Sequence, residues 1–264
     1  MSRIDERFAS LRTSGEGALV CFVTAGDPDI ETTRRIILEL EQAGADIVEI
    51  GIPFSDPIAD GPSIQAASMR ALEKGTNIPA VLGLVRSIRE ESELPLILMT
   101  YYNPAMHYGV ERFSEDIASA GADGVIMTDL TPEESARWKS AADGSGINTI
   151  FLLAPTSTNE RIKRVASIAS GFIYCVSRTG VTGARMEMAV GVQELVGRIH
   201  AETDKPVAVG FGISKPEHVK EVCGYADGAV VGSVLVDLIA DKSASPDLFT
   251  EVRRLVSALK AGTK

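Results

Sequence analysis

Residues 49–65 read EIGIPFSDPIADGPSIQ and hold three carboxylates, Glu49, Asp56 and Asp60, among three prolines. No lysine, arginine or histidine lies among them to neutralise the charge. The stretch begins at the end of an apolar, strand-like run. Carboxylates placed there lose water, and lost hydration lifts a carboxyl pKa toward the range useful for proton transfer. Glu49 occupies the penultimate position of the run 46–50, where a solvated edge glutamate fits poorly. Asp60 follows eleven positions on, just ahead of Gly61 and Pro62. Helix capping is its ordinary alternative role. Asp56 is the outermost of the three and is read as facing a partner. The chemistry expected of the pair Glu49 and Asp60 is general acid/base catalysis.

A second group of residues points to an anion. Three consecutive strand ends are rich in glycine: SRTGVTGAR (177–185), GFGIS (210–214) and VGSV (231–234). Glycine lets backbone N–H groups approach an anion closely, and a helix N-terminus adds partial positive charge. Ser233 offers a hydroxyl. Loops of this kind need glycine for their turns in any case, but three adjacent ones favour a phosphate group.

Other chemistries lack their residues. A Schiff-base aldolase needs a lysine at a strand end, and none of the strand-like runs contains one; Lys205 precedes its strand. The three histidines, His107, His200 and His218, are scattered over predicted helices and a loop, which argues against a metal-assisted lyase. Cys21, Cys175 and Cys223 form no CxxC pair; an odd count argues against a disulfide framework and suits reduced core thiols in a cytosolic protein.

The elements that must position these residues recur along the chain. Eight short apolar runs read as strands: 18–23, 46–50, 95–100, 124–128, 149–154, 172–177, 206–210 and 228–232. They are nearly continuous rather than alternating, as in strands buried on both faces of a parallel sheet. Amphipathic stretches lie between them. Residues 31–44 place Ile36, Ile37, Leu40 and Ala43 at helical spacing and end in glycine. Pairs Thr131 with Glu134, Ser157 with Glu160 and Ser214 with Glu217 match the capping-box pattern, with Pro132 at a first helical position. Residues 62–93 suggest two helices split near KGTNIP, and residues 2–12 an extra helix closing the bottom. Eight strand–helix units in about 250 residues predict an α/β fold, a (β/α)8 TIM barrel with an extra N-terminal helix. The reading is one barrel domain over residues 1–264. An open doubly wound sheet is the alternative, but VTAGDPD after the first strand is not a GxGxxG turn.

Composition agrees. Of 264 residues, 45% are apolar and 23% charged, ordinary for a globular chain with a sizeable core. Thirty-six acids against 26 bases give a formal charge of −10, which disfavours nucleic acid and anionic membrane as partners. The first residues lack the apolar core of a signal peptide, and no apolar run approaches the roughly 18 residues of a membrane span.

The segments EIGIPFSDPIADGPSIQ, MTYYNP, FIYCVSRTGVTGAR, VGFGIS and ADGAVVGS resemble, in order, the signature segments of the tryptophan synthase alpha chain family. The resemblance spans almost the whole chain. It implies a lyase of tryptophan biosynthesis that cleaves indole-3-glycerol phosphate by a retro-aldol step, with the indole ring as electron sink. It implies Glu49 as acid/base at ring carbon C3 and at the glycerol hydroxyl, and Asp60 as the holder of the indole N–H. Phe22, Ile64 and Tyr174 would surround the indole and glycerol parts, and Thr182 and Gly183 would lie in a lid, with Gly180 a further flexible point. Gly183, Gly210, Phe211, Gly212, Gly232 and Ser233 would cradle the phosphate. No cofactor is implied in this chain; pyridoxal phosphate is expected in a partner beta chain within a cytoplasmic alpha2-beta2 heterotetramer. Pro53, Asp56, Asn103 and Pro104 match interface positions. A stand-alone indole-3-glycerol-phosphate lyase and a non-catalytic activating subunit are the alternatives; indole-3-glycerol-phosphate synthase would need a strand lysine that is lacking. After the fourth strand the chain reads MTDLTPEE in place of the usual Val-Pro-Asp-Leu-Pro pattern, so the wall by Met127 is expected to differ.

Overall fold

Near-continuous runs of valine, isoleucine and leucine can lose water on both sides only where helices cover one side and other strands fill the opposite one. A computed structural model shows that arrangement; it describes residues 1–176, 185–210 and 212–264. Eight parallel strands close in sequential order. They are β1 (Ala18–Thr24), β2 (Ile47–Gly51), β3 (Leu96–Thr100), β4 (Gly124–Met127), β5 (Asn148–Leu153), β6 (Ile173–Val176), β7 (Val207–Gly210) and β8 (Gly228–Val231). Outside them run α1 (Arg3–Ser14), α2 (Ile30–Gln42), α3 (Pro62–Glu73), α4 (Ile78–Arg89), α5 (Tyr102–Tyr108) and α6 (Val110–Ala120). The second half adds α7 (Ala136–Gly144), α8 (Asn159–Ile168), α9 (Arg185–His200), α10 (Pro216–Cys223), α11 (Ser233–Lys242) and α12 (Leu248–Lys260). The fold is the expected (β/α)8 barrel.

Alternate residues of each strand serve two cores. Leu19, Cys21, Val23, Val48, Ile50, Leu96 and Leu98 face the helices. Val20, Ile47, Ile97, Ile126, Ile150 and Phe172 fill the barrel itself. The expected N-terminal helix closes the bottom: Ile4, Phe8 and Leu11 of α1 join the inner cluster, with the Phe8 and Phe172 rings 5.6 Å apart. Apolar side chains of α1 thus cover the N-terminal end of the barrel, opposite its C-terminal mouth.

The underside carries a fourfold repeat. One residue in the turn before each even strand is clipped to the strand before it. Leu19 N–H donates to Asp46 Oδ2 at 2.7 Å, Leu96 N–H to Asp123 Oδ2 at 2.8 Å, Thr149 N–H to Ser170 Oγ at 2.8 Å and Val207 N–H to Asp227 Oδ2 at 2.9 Å. The backbone N–H of each clip residue returns a bond to the carbonyl of the same strand residue. Three of the four clips are acids, and each has a cation. Asp123, its side chain 4% exposed, receives Arg89 at 2.5 Å and Arg3 at 3.1 Å; Asp46 receives Lys260 at 2.7 Å; Asp227 meets Arg12 at 3.6 Å.

Several local expectations are corrected. Glu49 is the middle residue of β2, not the penultimate one, because the strand runs one residue further to Gly51. Asn103 and Pro104 lie in α5 rather than in a loop. None of the three capping boxes forms. Residues 131–135 make turns and α7 starts at Ala136. Thr158, with extended backbone, caps α8, while Ser157 Oγ accepts from Ala154 N–H at 3.0 Å. Pro216 sets the first turn of α10, so Ser214 lies one place too early to cap it.

Asp123→Ala would leave Arg89, only 10% exposed at its side chain, without its carboxylate. The expected loss of unfolding free energy is about 3–5 kcal/mol, against less than about 0.5 kcal/mol for the exposed control Asp56→Ala. Urea unfolding of both variants checks this, and equal losses would refute it.

Candidate active site

β2 carries Glu49 into the open mouth between Phe22 of β1 and Ile97 of β3, its neighbours in register. The residue is 1% exposed, and neither carboxylate oxygen has a hydrogen-bond partner among the described residues. An unpaired buried acid keeps its proton, and burial alone pushes the Glu49 pKa up to about 8. The acid lines a cavity of about 460 Å³ together with Phe22, Ile64, Tyr174, Gly210, Gly212, Gly232 and Ser233. Those are the described members of the expected ligand site, brought together from β1, α3, β6, β7 and β8. Burial and the nearby acids Glu49 and Asp60 raise the Tyr174 hydroxyl well above its ordinary value, so it stays a phenol.

Asp60 lies in a narrower recess next door, walled by Gly51, Ile52, Ser68, Thr100, Tyr101 and Thr128. Phe22, Ile64 and Met99 line both spaces, so the two are joined through a common apolar partition. Burial pushes the Asp60 pKa up to about 6, and a hydrogen bond with Tyr101 holds it from rising further. At neutral pH one acid of the mouth is thus protonated and the other ionised. Pairs of acids driven apart in this way divide the roles of proton donor and charge stabiliser.

The far end of the cavity is built from backbone. Gly232 precedes α11, whose first turn has no side-chain cap, and Ser233 and Val234 line the cavity there. Uncapped first-turn N–H groups facing a cavity suit an anion. Gly212 has φ +47°, a conformation that L side chains rarely adopt. Gly210 answers a different need from the one expected: a Cβ there would overlap the Tyr174 hydroxyl.

Thr182, Gly183, Gly180 and Phe211 lie outside the described residues. Among the proposed interface positions Asp56 and Asn103 are exposed, Pro104 is half-buried and Pro53 is buried. Sequence reasoning missed Met99, Tyr101, Thr128, Ser214, Val234 and Asp237 as lining residues. It also placed the altered wall at Met127, whereas Met127 packs outward against the helices and Thr128 faces the recess. Parity along β4 could have found this, because Thr128 continues the inward alternation of Gly124 and Ile126. Among the described residues no three His, Cys, Asp or Glu side chains cluster to hold a metal, and no helix is long and apolar enough to cross a membrane.

The family model described as tryptophan synthase alpha chain matches residues 8–264. The chain belongs to the tryptophan synthase alpha chain family. It is 54% identical over 264 residues to the tryptophan synthase alpha chain of Geotalea uraniireducens, covering 100% of this chain and 98% of that one. It is 50% identical over 260 residues to that of Geobacter sulfurreducens, covering 98% of each. The crystal structure of tryptophan synthase subunit alpha from Legionella pneumophila superposes with a TM-score of 0.93 at 35% identity, covering 100% of this chain and 98% of that one. An aminoacrylate-bound tryptophan synthase from M. tuberculosis gives 0.90 at 34% identity, with 100% of both chains covered. Within this alpha chain fold, Glu49 and Asp60 occupy the mouth of the barrel.

The folded chain holds the Glu49 proton up to about pH 8, whereas an ordinary glutamate releases it near 4.5. Between those values the folded state binds more protons than the unfolded one, so stability falls as pH rises across that window. Glu49→Gln removes the slope. The variant should exceed the parent in stability near pH 8 by a few kcal/mol, about 1.4 kcal/mol for each tenfold displacement of the equilibrium, with little difference near pH 5. Urea unfolding at the two pH values checks this; a difference independent of pH would show a hydrated Glu49.

Proposed function

We propose that this chain, as one domain over residues 1–264, cleaves indole-3-glycerol phosphate to indole and glyceraldehyde 3-phosphate at the barrel mouth, with Glu49 and Asp60 as its catalytic residues. The observation that carries the assignment is Glu49, buried, without a hydrogen-bond partner among the described residues, and facing the cavity. Protonated Glu49 gives its proton to ring carbon C3, which makes the ring a cation. Ionised Asp60 holds the ring N–H and stabilises that charge. Glu49, now a carboxylate, takes the proton of the glycerol hydroxyl next to the ring. The carbon–carbon bond breaks, its electron pair returns to the ring, and the hydroxyl carbon leaves as the aldehyde. Glu49 ends protonated, as it began.

Phe22, Ile64 and Tyr174 hold the indole and glycerol parts in this reading. Gly210, Gly212, Gly232 and Ser233 hold the phosphate, together with Phe211 and Gly183. Thr182 and Gly183 belong to the lid that excludes water before cleavage. Glu49→Gln should lower kcat by about 10²–10⁴, the usual share of a general acid/base. Activity of the parent should fall above about pH 8 as Glu49 loses its proton, and below about pH 6 as Asp60 gains one. Ser233→Asp should raise KM chiefly, by repelling phosphate. Indole release by the three proteins across pH tests the assignment. No release by the parent, even with a beta chain added, would leave an activating subunit as the better reading.

The partner in this reading is a beta chain carrying pyridoxal phosphate, in an alpha2-beta2 complex of the cytoplasm. Support comes from the exposed face around Asp56 and Asn103, where Ile58 is 86% and Met106 52% exposed. Asp56 makes a hydrogen bond with its neighbour Ser55 and no ion pair among the described residues. Asp56→Lys should weaken co-purification with the beta chain at least about tenfold, as expected when like charge meets a desolvated partner cation. Unchanged retention would move the interface elsewhere.

A further inference from the structure

Glu49 and Asp60 do not share a compartment. Glu49 lines the cavity of about 460 Å³, whereas Asp60 lines the recess, which offers only about 10 Å³. That is room for about one water molecule and not for an aromatic ring. In the proposed reaction both acids must touch one five-membered ring, Glu49 at C3 and Asp60 at the N–H. Either Asp60 leaves the recess, or the wall between the two spaces gives way.

The loop that carries Asp60 is tied on both sides of the acid. The Asp60 N–H donates to the Pro57 carbonyl at 3.0 Å, and the Asp60 carbonyl accepts from Gln65 Nε2 at 2.8 Å. The Ala59 N–H donates to the Tyr101 hydroxyl oxygen at 2.9 Å. The wall is therefore the part that yields. It consists of the three side chains that line both spaces, Phe22, Ile64 and Met99. Phe22 is 4% exposed and clusters with Ala67 and Val236. Its ring lies so close to Gly51 that a Cβ there would come within 2.7 Å of it. Ile64 is β-branched and stands on α3, and a helix leaves such a side chain one strongly preferred rotamer. Met99 differs from both. Its backbone is fixed in β3 between Gly51 and Ile126, but its side chain is unbranched, half-buried and packed only at the margin of two apolar clusters. Three rotatable bonds let a methionine refill an irregular space, and its sulfur makes favourable contact with a ring edge.

We infer that Met99 is the movable partition of the mouth: its side chain swings aside for the aromatic ring, joins the recess to the cavity, and so sets how large a ring the site accepts. The inference rests on the proposed reaction, which requires one ring to reach both acids. The displaced thioether stays against the ring that it admits, so opening the recess leaves no void behind.

The test is calorimetric binding of indole, and of indole methylated on its six-membered ring, to the parent and to Met99→Ile, Met99→Leu and Met99→Ala, with thermal unfolding as a fold check. Met99→Ile suits a strand but stiffens the partition, and should weaken indole binding about 10-fold or more. Met99→Leu, branched one carbon further out, should lose less. Met99→Ala removes the partition and should raise the affinity for the methylated ring about 10-fold relative to that for indole, the usual worth of one methyl group in an apolar pocket. Crystal structures of the parent with and without indole should show Met99 in different rotamers, with recess and cavity continuous in the complex. An unmoved Met99 in the complex overturns the inference. So do equal losses in Met99→Ile and Met99→Leu, or parent-like ring selectivity in Met99→Ala, which decides the matter if Met99→Ile does not fold. If the parent binds indole but releases none from indole-3-glycerol phosphate, the proposed reaction fails while the partition is still judged by these measurements. A parent that binds no indole overturns both.

Discussion

A carboxyl group stripped of water and given no partner is the constraint around which the mouth of this barrel is organised. Glu49 would find water or a donor in almost any other position. Its burial follows from what lies beneath and beside it. Val20, Ile47, Ile97, Ile126 and Ile150 seal the barrel below, Phe22 and Tyr174 flank it, and α1 closes the far end. Among the described residues no side chain or backbone group hydrogen-bonds to its carboxyl oxygens. The cost of holding such a group is borne by two large apolar cores, one inside the barrel and one between strands and helices.

The contrast with the opposite face makes the point sharper. Asp46 and Asp123 are also buried and Asp227 is half-buried, yet each accepts a strand N–H and meets a cation. Together with Ser170 they repeat one device at four αβ turns. Those acids hold strands in register, and their charges are answered within the chain. Among the described residues Glu49 has no hydrogen-bond partner, and Asp60 meets a phenol and no cation. The same residue type is therefore neutralised within the chain on one face and, among the described residues, left without a cation on the other. What separates the two cases is whether the fold supplies the partner.

The two acids of the mouth differ in how they are held. Glu49 is fixed by a strand, and its environment acts through lack of hydration. Asp60 is held by a loop; burial raises it as well, but less, and a hydrogen bond with Tyr101 opposes the rise. That difference sets their protonation apart near neutral pH, which a single carboxylate could not provide. The backbone-lined end of the cavity completes the arrangement without a side-chain cation among the described residues that line it.

Much of this was legible in the chain itself. Continuous apolar runs at regular spacing specified eight strands and a barrel, because burial on both faces leaves no room for polar alternation. Unneutralised Glu49 and Asp60, with glycines at three successive strand ends, marked the site. Phase was less legible. A one-residue extension of β2 put Glu49 at the centre of its strand, and inward parity placed Thr128 rather than Met127 in the recess. Capping boxes failed because adjacent Ser and Thr residues compete, and a proline sets the first turn. Tertiary structure alone decided which acids are partnered. Asp123 and Glu49 look alike in sequence, each beside an apolar strand. Only closure of the barrel brings Arg3 and Arg89 to the first and a cavity lined by Phe22, Ile64 and Tyr174 to the second, because those neighbours lie far apart along the chain.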